Sequence, residues 1–145
     1  VPIMCIPQYF NYAFIKKMKP FTKILVVEDE PSSLKLLTYH LRVMGCKSIT
    51  ETTDGKRALD QMHQEKPDLV IADWHMPNLN GLEFFRAIRE VELWQNIPFL
   101  MITSDKDPQR VQEAIQAGVR DYILKPIDVE ILKRKIRELL RLNED

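Results

Sequence analysis

The sequence predicts an α/β fold: a doubly wound sheet of five parallel strands covered on both faces by five helices. Short apolar runs occur at 24–27, 69–72 and 99–102, the first of them rich in β-branched residues, the pattern of strands buried on both faces. Between them lie segments whose apolar residues recur at spacings of three and four, the pattern of helices with one buried stripe. Strict alternation of the two implies right-handed crossovers joining parallel strands.

The elements follow in order. Ile24-Leu25-Val26-Val27 is the first strand. Pro31 opens the first helix, where its missing N–H costs nothing, and Leu34, Leu37, Leu41 and Met44 trace the inner face up to a stop at Gly45. Residues 47–53 read as a weaker strand, and residues 56–65 as a helix with Ala58, Leu59 and Met62 inward. Leu69-Val70-Ile71-Ala72 is the third strand, and residues 82–93 the third helix, carrying Phe85 and Ile88. Phe99-Leu100-Met101-Ile102 is the fourth strand. Asp107 caps a helix opened by Pro108, with Val111, Ala114 and Ile115 expected inside. Tyr122-Ile123-Leu124 is the fifth strand, and a last helix from about Asp128 shows Leu132, Ile136, Leu139 and Leu140.

Composition narrows the function. The chain has 145 residues, with 21 Lys+Arg against 21 Asp+Glu and no formal net charge. Such a balance lacks the excess of clustered cations that phosphate neutralisation on nucleic acid requires. No run approaches the roughly 20 consecutive apolar residues of a membrane span. Cys5 and Cys46 are too few for a disulfide scaffold and lack metal-ligand spacing, so they read as free thiols of a cytoplasmic protein. Residues 1–20 differ from the rest: apolar and aromatic, broken by Pro2 and Pro7, and without a basic leader before the apolar stretch. They read as an N-terminal extension, disordered or not native, with Met18 a candidate start, while residues 21–145 form the domain.

In open parallel sheets, ligands bind beyond the carboxyl ends of the strands. Glu28, Asp29 and Glu30 follow the first strand, Asp73 the third, Thr103 and Ser104 the fourth, and Lys125-Pro126 the fifth. Each has an ordinary explanation alone, as a helix cap, a turn residue or a solvated charge. Asp73 resists it, because Trp74-His75-Met76-Pro77 does not start a helix. Convergence of all of them on one sheet edge is a specific pattern. Three close carboxylates repel, a divalent cation relieves the repulsion, and oxygen donors alone select a hard ion such as Mg²⁺. With an ammonium at Lys125 and a hydroxyl at Thr103, the set suits a phosphoryl group, and Asp73 is the carboxylate expected to accept it.

These segments resemble the receiver domains of two-component response regulators, above all the single-domain chemotaxis type. The likeness rests on Ile24-Leu25-Val26-Val27-Glu28-Asp29-Glu30, on Asp73-Trp74-His75-Met76-Pro77-Asn78-Leu79-Asn80-Gly81 and on Asp121-Tyr122-Ile123-Leu124-Lys125-Pro126, and it extends from Thr22 to about Leu142. The resemblance implies a flavodoxin-like strand order, 2-1-3-4-5. It implies that Asp73 is phosphorylated by a histidine kinase or phosphotransfer protein, or by a small phosphodonor. It further implies that Glu28, Asp29, Asp73 and the carbonyl of His75 hold Mg²⁺, and that Thr103 and Lys125 contact the phosphoryl oxygens. Thr103 and Tyr122 would form the switch, and His75 and Asp105 would tune the lifetime of the acyl phosphate. Glu28 stands where Asp is commoner, Asn80 replaces a frequent Asp, and Ser104 is larger than the usual residue.

Other readings remain at this point. A phosphohydrolase of the haloacid dehalogenase type would need an Asp where His75 stands. A flavodoxin would not have an acidic loop after its first strand. A degenerate receiver serving as a scaffold would not need Asp29, Asp73, Thr103 and Lys125 together. The expected role is thus a phospho-accepting signalling protein rather than an enzyme acting on a separate substrate. Its output would pass through a downstream protein partner, without nucleic acid or membrane.

Overall fold

The computed structural model describes residues 22–141; the reading of residues 1–20 as an extension therefore lies outside the described residues. Five strands, β1 (Lys23–Val27), β2 (Ser48–Thr52), β3 (Leu69–Ala72), β4 (Phe99–Thr103) and β5 (Asp121–Leu124), alternate with five helices. The helices are α1 (Pro31–Val43), α2 (Gly55–Gln64), α3 (Gly81–Glu90), α4 (Pro108–Ala117) and α5 (Val129–Arg141). Every strand pair is parallel, and the order is β2-β1-β3-β4-β5, as the resemblance implies. No helix among the described residues is long and apolar enough to cross a membrane.

The continuous apolar runs have a simple cause. Successive side chains of a strand point to opposite faces, so each run feeds two cores. Leu25, Val27, Val70, Ala72, Phe99 and Met101 pack under α2, α3 and α4. Ile24, Val26, Leu69, Ile71, Leu100 and Ile102 pack with Leu37 and Leu41 of α1 and Leu132, Ile136 and Leu139 of α5. The edge strand β2 shows no fully buried residue, which explains its weak signal in the sequence.

Helix starts are set by side chains that satisfy the orphaned amides of a first turn. Glu30 accepts from the Ser32 and Ser33 amides, Asp54 from Arg57, and Asp107 from Gln109. Asn80 and Glu83 form a reciprocal capping box at α3.

Two expectations need correction. The third helix ends at Glu90, not 93: Val91 is extended, and a single 3₁₀ turn over Glu92–Trp94 follows. That exit buries Trp94 and leaves Leu93 77% exposed. Ile115, expected inside, is 61% exposed; Ala114 is the one residue of α4 fully buried against the core, and Ile115 lies about 100° further round the helix.

Candidate functional site

The site forms where three strands end. The β-ladder extends one residue past the strands, the Asp73 amide donating to the Val27 carbonyl and the Lys125 amide to the Thr103 carbonyl, at 3.0 and 2.9 Å. Side chains just after β1, β3 and β5 are thereby fixed at one edge. Glu28 and Asp73 are buried, at 3% and 7% exposure. One carboxylate oxygen from each of Glu28, Asp29 and Asp73 lies within 4.8 Å of the others, while Asp29 itself faces solvent.

Lys125 reaches into this cluster. Its Nζ donates to Glu28 Oε2 at 2.8 Å and to Asp73 Oδ2 at 3.3 Å. These contacts span 97 and 52 residues of sequence. Burial alone would lower the lysine pKa, but the bond to Glu28 and the charges of Asp73 and Glu28 outweigh it and raise it. Glu28 is pushed up, first by burial and then by the Asp73 charge, against the opposing pull of Lys125. The pocket thus concentrates negative charge that one ammonium does not fully offset.

Asp73 is held by backbone as well. Its Oδ1 accepts the Trp74 amide at 2.6 Å. Gly81, the first residue of α3, donates to the Trp74 carbonyl at 2.7 Å, and a Cβ there would collide with the Asp73 carbonyl oxygen and lie 2.8 Å from Trp74 Cα. Glycine is required because helix and strand end touch.

Thr103 is fully buried. Its hydroxyl accepts the Asp105 amide at 3.2 Å, and no hydrogen bond joins it to Asp73. Tyr122, half-buried, donates to the Asp105 carbonyl at 3.2 Å. Its pKa is pushed up to about 12, by burial first and then by the Asp105 and Asp73 charges. Asp105 therefore ties Thr103 and Tyr122, the pair expected to switch, to one backbone unit.

The side chain of Asp105 makes a second cluster that the sequence did not announce. Its Oδ2 lies 2.7 Å from His75 Nε2 and 2.9 Å from Arg110 Nη1. The Asp107 amide, then the His75 bond and the Arg110 charge, hold the carboxyl below its ordinary value. His75 and Asp105 were foreseen as positions of influence, but Arg110 was not; its place in the first turn of α4 was the available signal. The His75 side chain faces this cluster, and only its carbonyl was expected at the metal.

The donor set fits the expected cation. Three carboxylates from two strand ends, with no thiol and no imidazole among them, make a hard oxygen site, and the charge imbalance around Glu28 gives it a reason to bind.

The comparisons agree with this geometry. The family model described as the response regulator receiver domain matches residues 24–137. The chain is 35% identical to the chemotaxis protein CheY of Pseudomonas aeruginosa over 81% of its own length and 94% of that protein's. It is also 35% identical to CheY-3 of Vibrio cholerae, covering 81% and 90% of the two chains. Among solved structures, the receiver domain of the sensor histidine kinase PA1611 of Pseudomonas aeruginosa, with magnesium coordinated in its active-site cleft, superposes with a TM-score of 0.76 at 28% identity. It covers 83% of this chain and 98% of that one. The chemotaxis response regulator CheY4 of Vibrio cholerae gives 0.74 at 28% identity, covering 82% and 98%. On the matched sequence, the shared strand order and the acidic edge that carries Asp73, the chain belongs to the response regulator receiver domains of two-component signalling.

Proposed function

We propose that this receiver accepts a phosphoryl group on Asp73 and changes its surface for a protein partner. The observation that carries this reading is the Asp73 carboxylate, buried at the sheet edge within reach of the Lys125 ammonium and beside two further carboxylates. A histidine kinase or phosphotransfer protein is the proposed donor. In the transfer, an Asp73 oxygen forms a bond to phosphorus as the P–N bond of phosphohistidine breaks. The electron pair leaves on the imidazole nitrogen, which takes a proton from solvent. Water later cleaves the acyl phosphate and restores the carboxylate.

Mg²⁺, held by Glu28, Asp29, Asp73 and the carbonyl of His75, would supply positive charge against the phosphoryl oxygens. The chain's own groups position and neutralise. The Trp74 amide fixes the Asp73 rotamer, Lys125 offers an ammonium on the phosphoryl side, and Thr103, whose oxygen accepts the Asp105 amide, has an O–H to donate to a phosphoryl oxygen. A hydrogen bond to a charged group contributes roughly 1.5–3 kcal/mol, and moving an equilibrium from 1:99 to 99:1 needs about 5.5 kcal/mol. Lys125 already bonds two carboxylates, so its gain is an exchange and the smaller share. Thr103, moving with Asp105 and hence with Tyr122, supplies the conformational part, and partner binding completes the shift. The names of the relatives favour chemotaxis-like signalling in the cytoplasm as the pathway.

Incubation with phosphoramidate and Mg²⁺ should place one hydroxylamine-labile phosphate on the wild-type chain and none on Asp73→Asn. Labelling retained in that variant would move the acceptor elsewhere. Beryllofluoride with Mg²⁺ should shift the fluorescence of Trp74, whose amide touches Asp73. A protein that folds but neither labels nor responds would be a scaffold, not a phospho-acceptor.

A further inference from the structure

At the opposite edge of the sheet, by the amino ends of β4 and β5, lies a cavity of about 580 Å³. Phe85, Arg89, Gln95, Asn96, Arg120 and Leu139 contribute to its lining. Two guanidinium groups thus share one open concavity. Among the described residues, neither has a carboxylate within salt-bridge distance. The acid in the lining, Asp121, is taken up by Lys135 at 3.4 Å.

Arg89 is built into place rather than solvated. Its guanidinium lies over the Phe85 ring, 4.8 Å from the centroid, and its Nη1 donates to the Trp94 carbonyl at 3.0 Å. Those contacts occupy one face and one donor; five N–H donors in a planar fork leave the rest for a ligand. Burial, and then the charge of Arg120, press its pKa below the ordinary value. Two like charges held at one cavity without a counter-ion are an arrangement that an anion relieves.

We propose that this cavity is a binding site for a small organic phosphate, distinct from the Asp73 site. Arg89 and Arg120 grip the dianionic head, the side-chain amides of Gln95 and Asn96 supply further donors, and Phe85 and Leu139 contact the apolar body. Planar guanidinium forks match phosphate oxygens better than an ammonium does. The volume leaves room for a body beyond the head. Such a site would connect to Asp73 through α3, which carries Arg89 in its last turn and Gly81 against the Asp73 backbone at its first.

The test uses phenyl phosphate as probe on the full chain, without Mg²⁺ and at constant ionic strength, followed by amide NMR. Saturable shifts should gather at Gln95, Asn96, Gly118 and Arg120. The exposed Arg120→Gln, which leaves Arg89 and its packing intact, should weaken binding about tenfold, the loss expected for a charge-assisted bond. Shifts that never saturate, that gather at the Asp73 edge, or that persist unweakened in Arg120→Gln would overturn the site. Asp73→Asn, titrated alongside, should bind the probe as the wild type does; loss of binding there would also overturn it.

Discussion

Two charge clusters flank the end of β3, and they obey different physics. On one side Lys125 joins Glu28 and Asp73 with its side chain 18% exposed and the carboxylates 4% and 9% exposed. On the other, Asp105 joins His75 and Arg110, whose side chains are 53% and 41% exposed. Both look like ion pairs. In the first, water is largely excluded, so removing one partner strands charge where nothing replaces it. In the second, water and salt screen the attraction, and it holds geometry more than it stabilises. The proposed chemistry falls to the first and its proposed adjustment to the second.

The comparison breaks most visibly at Lys125. Lys125→Ala should cost about 2–4 kcal/mol in chemical unfolding at pH 7.5, near the range for breaking a buried pair. A cost below 1 kcal/mol would mean that solvent already screens the pocket. The sign with pH is fixed by Glu28. Its folded pKa is raised, so the protonated form favours the folded state, and that contribution is lost as pH rises from the unfolded value toward the folded one. The deficit of Lys125→Ala should therefore be smaller at pH 4.5 than at pH 7.5, and the conformational response to phosphorylation should weaken without vanishing, since Thr103 supplies the larger share.

Gly81→Ala probes the buried side without touching charge. Its Cβ would meet the Asp73 carbonyl, so a loss of about 1–3 kcal/mol is expected, as for overpacking in a tight interior. Phosphoryl uptake should fall with it, because the backbone that holds Asp73 must shift. Normal uptake would show that α3 can slide.

On the exposed side, Arg110→Ala should change stability by less than about 1 kcal/mol, and less again in 0.5 M salt. Its effect should appear instead in the lifetime of the phosphorylated state, measured by phosphate release. A stability loss as large as that of Lys125→Ala would erase the distinction between the clusters.

Glu30 gives the smallest effect and sharpens the contrast further. It is an exposed carboxylate whose pKa is lowered to about 2 by the hydroxyl and amide of Ser32 and Ser33, not by a cation. A depressed acid stabilises above its unfolded value and loses that contribution as pH falls toward the folded one. Between pH 5 and pH 2 the wild type should lose this contribution, and Glu30→Gln should flatten that part of the stability profile. An unchanged profile would show that the cap is not formed in solution.

Much of the fold was legible because its signals are local. Buried parallel strands need uninterrupted apolar runs, and Pro31 and Asp107 with Pro108 mark helix starts by the hydrogen bonds that a first turn lacks. Where the reading slipped, a long-range preference had won. Leu93 fitted the helical period, but the chain leaves the helix at Val91 so that Trp94 is buried. At the site, Glu28, Asp29, Asp73 and Lys125 were expected together and are together. Thr103 and Tyr122 were expected as a pair and meet through Asp105. Arg110 was passed over, since its place in the first turn of α4 is a local signal that gains meaning only once Asp105 and His75 are seen beside it.

The amino-acid sequence by itself determined which residues end the strands, and hence which chemical groups meet at the acidic edge, because strand polarity and burial follow from local pattern. Only the tertiary structure decided that Lys125 bonds Glu28 more closely than Asp73, that Asp105 links Thr103 and Tyr122 to Arg110, and that Arg89 and Arg120 face one cavity. Those facts depend on distances between segments far apart in the chain, set by how two cores pack around the sheet rather than by any property of the segments themselves.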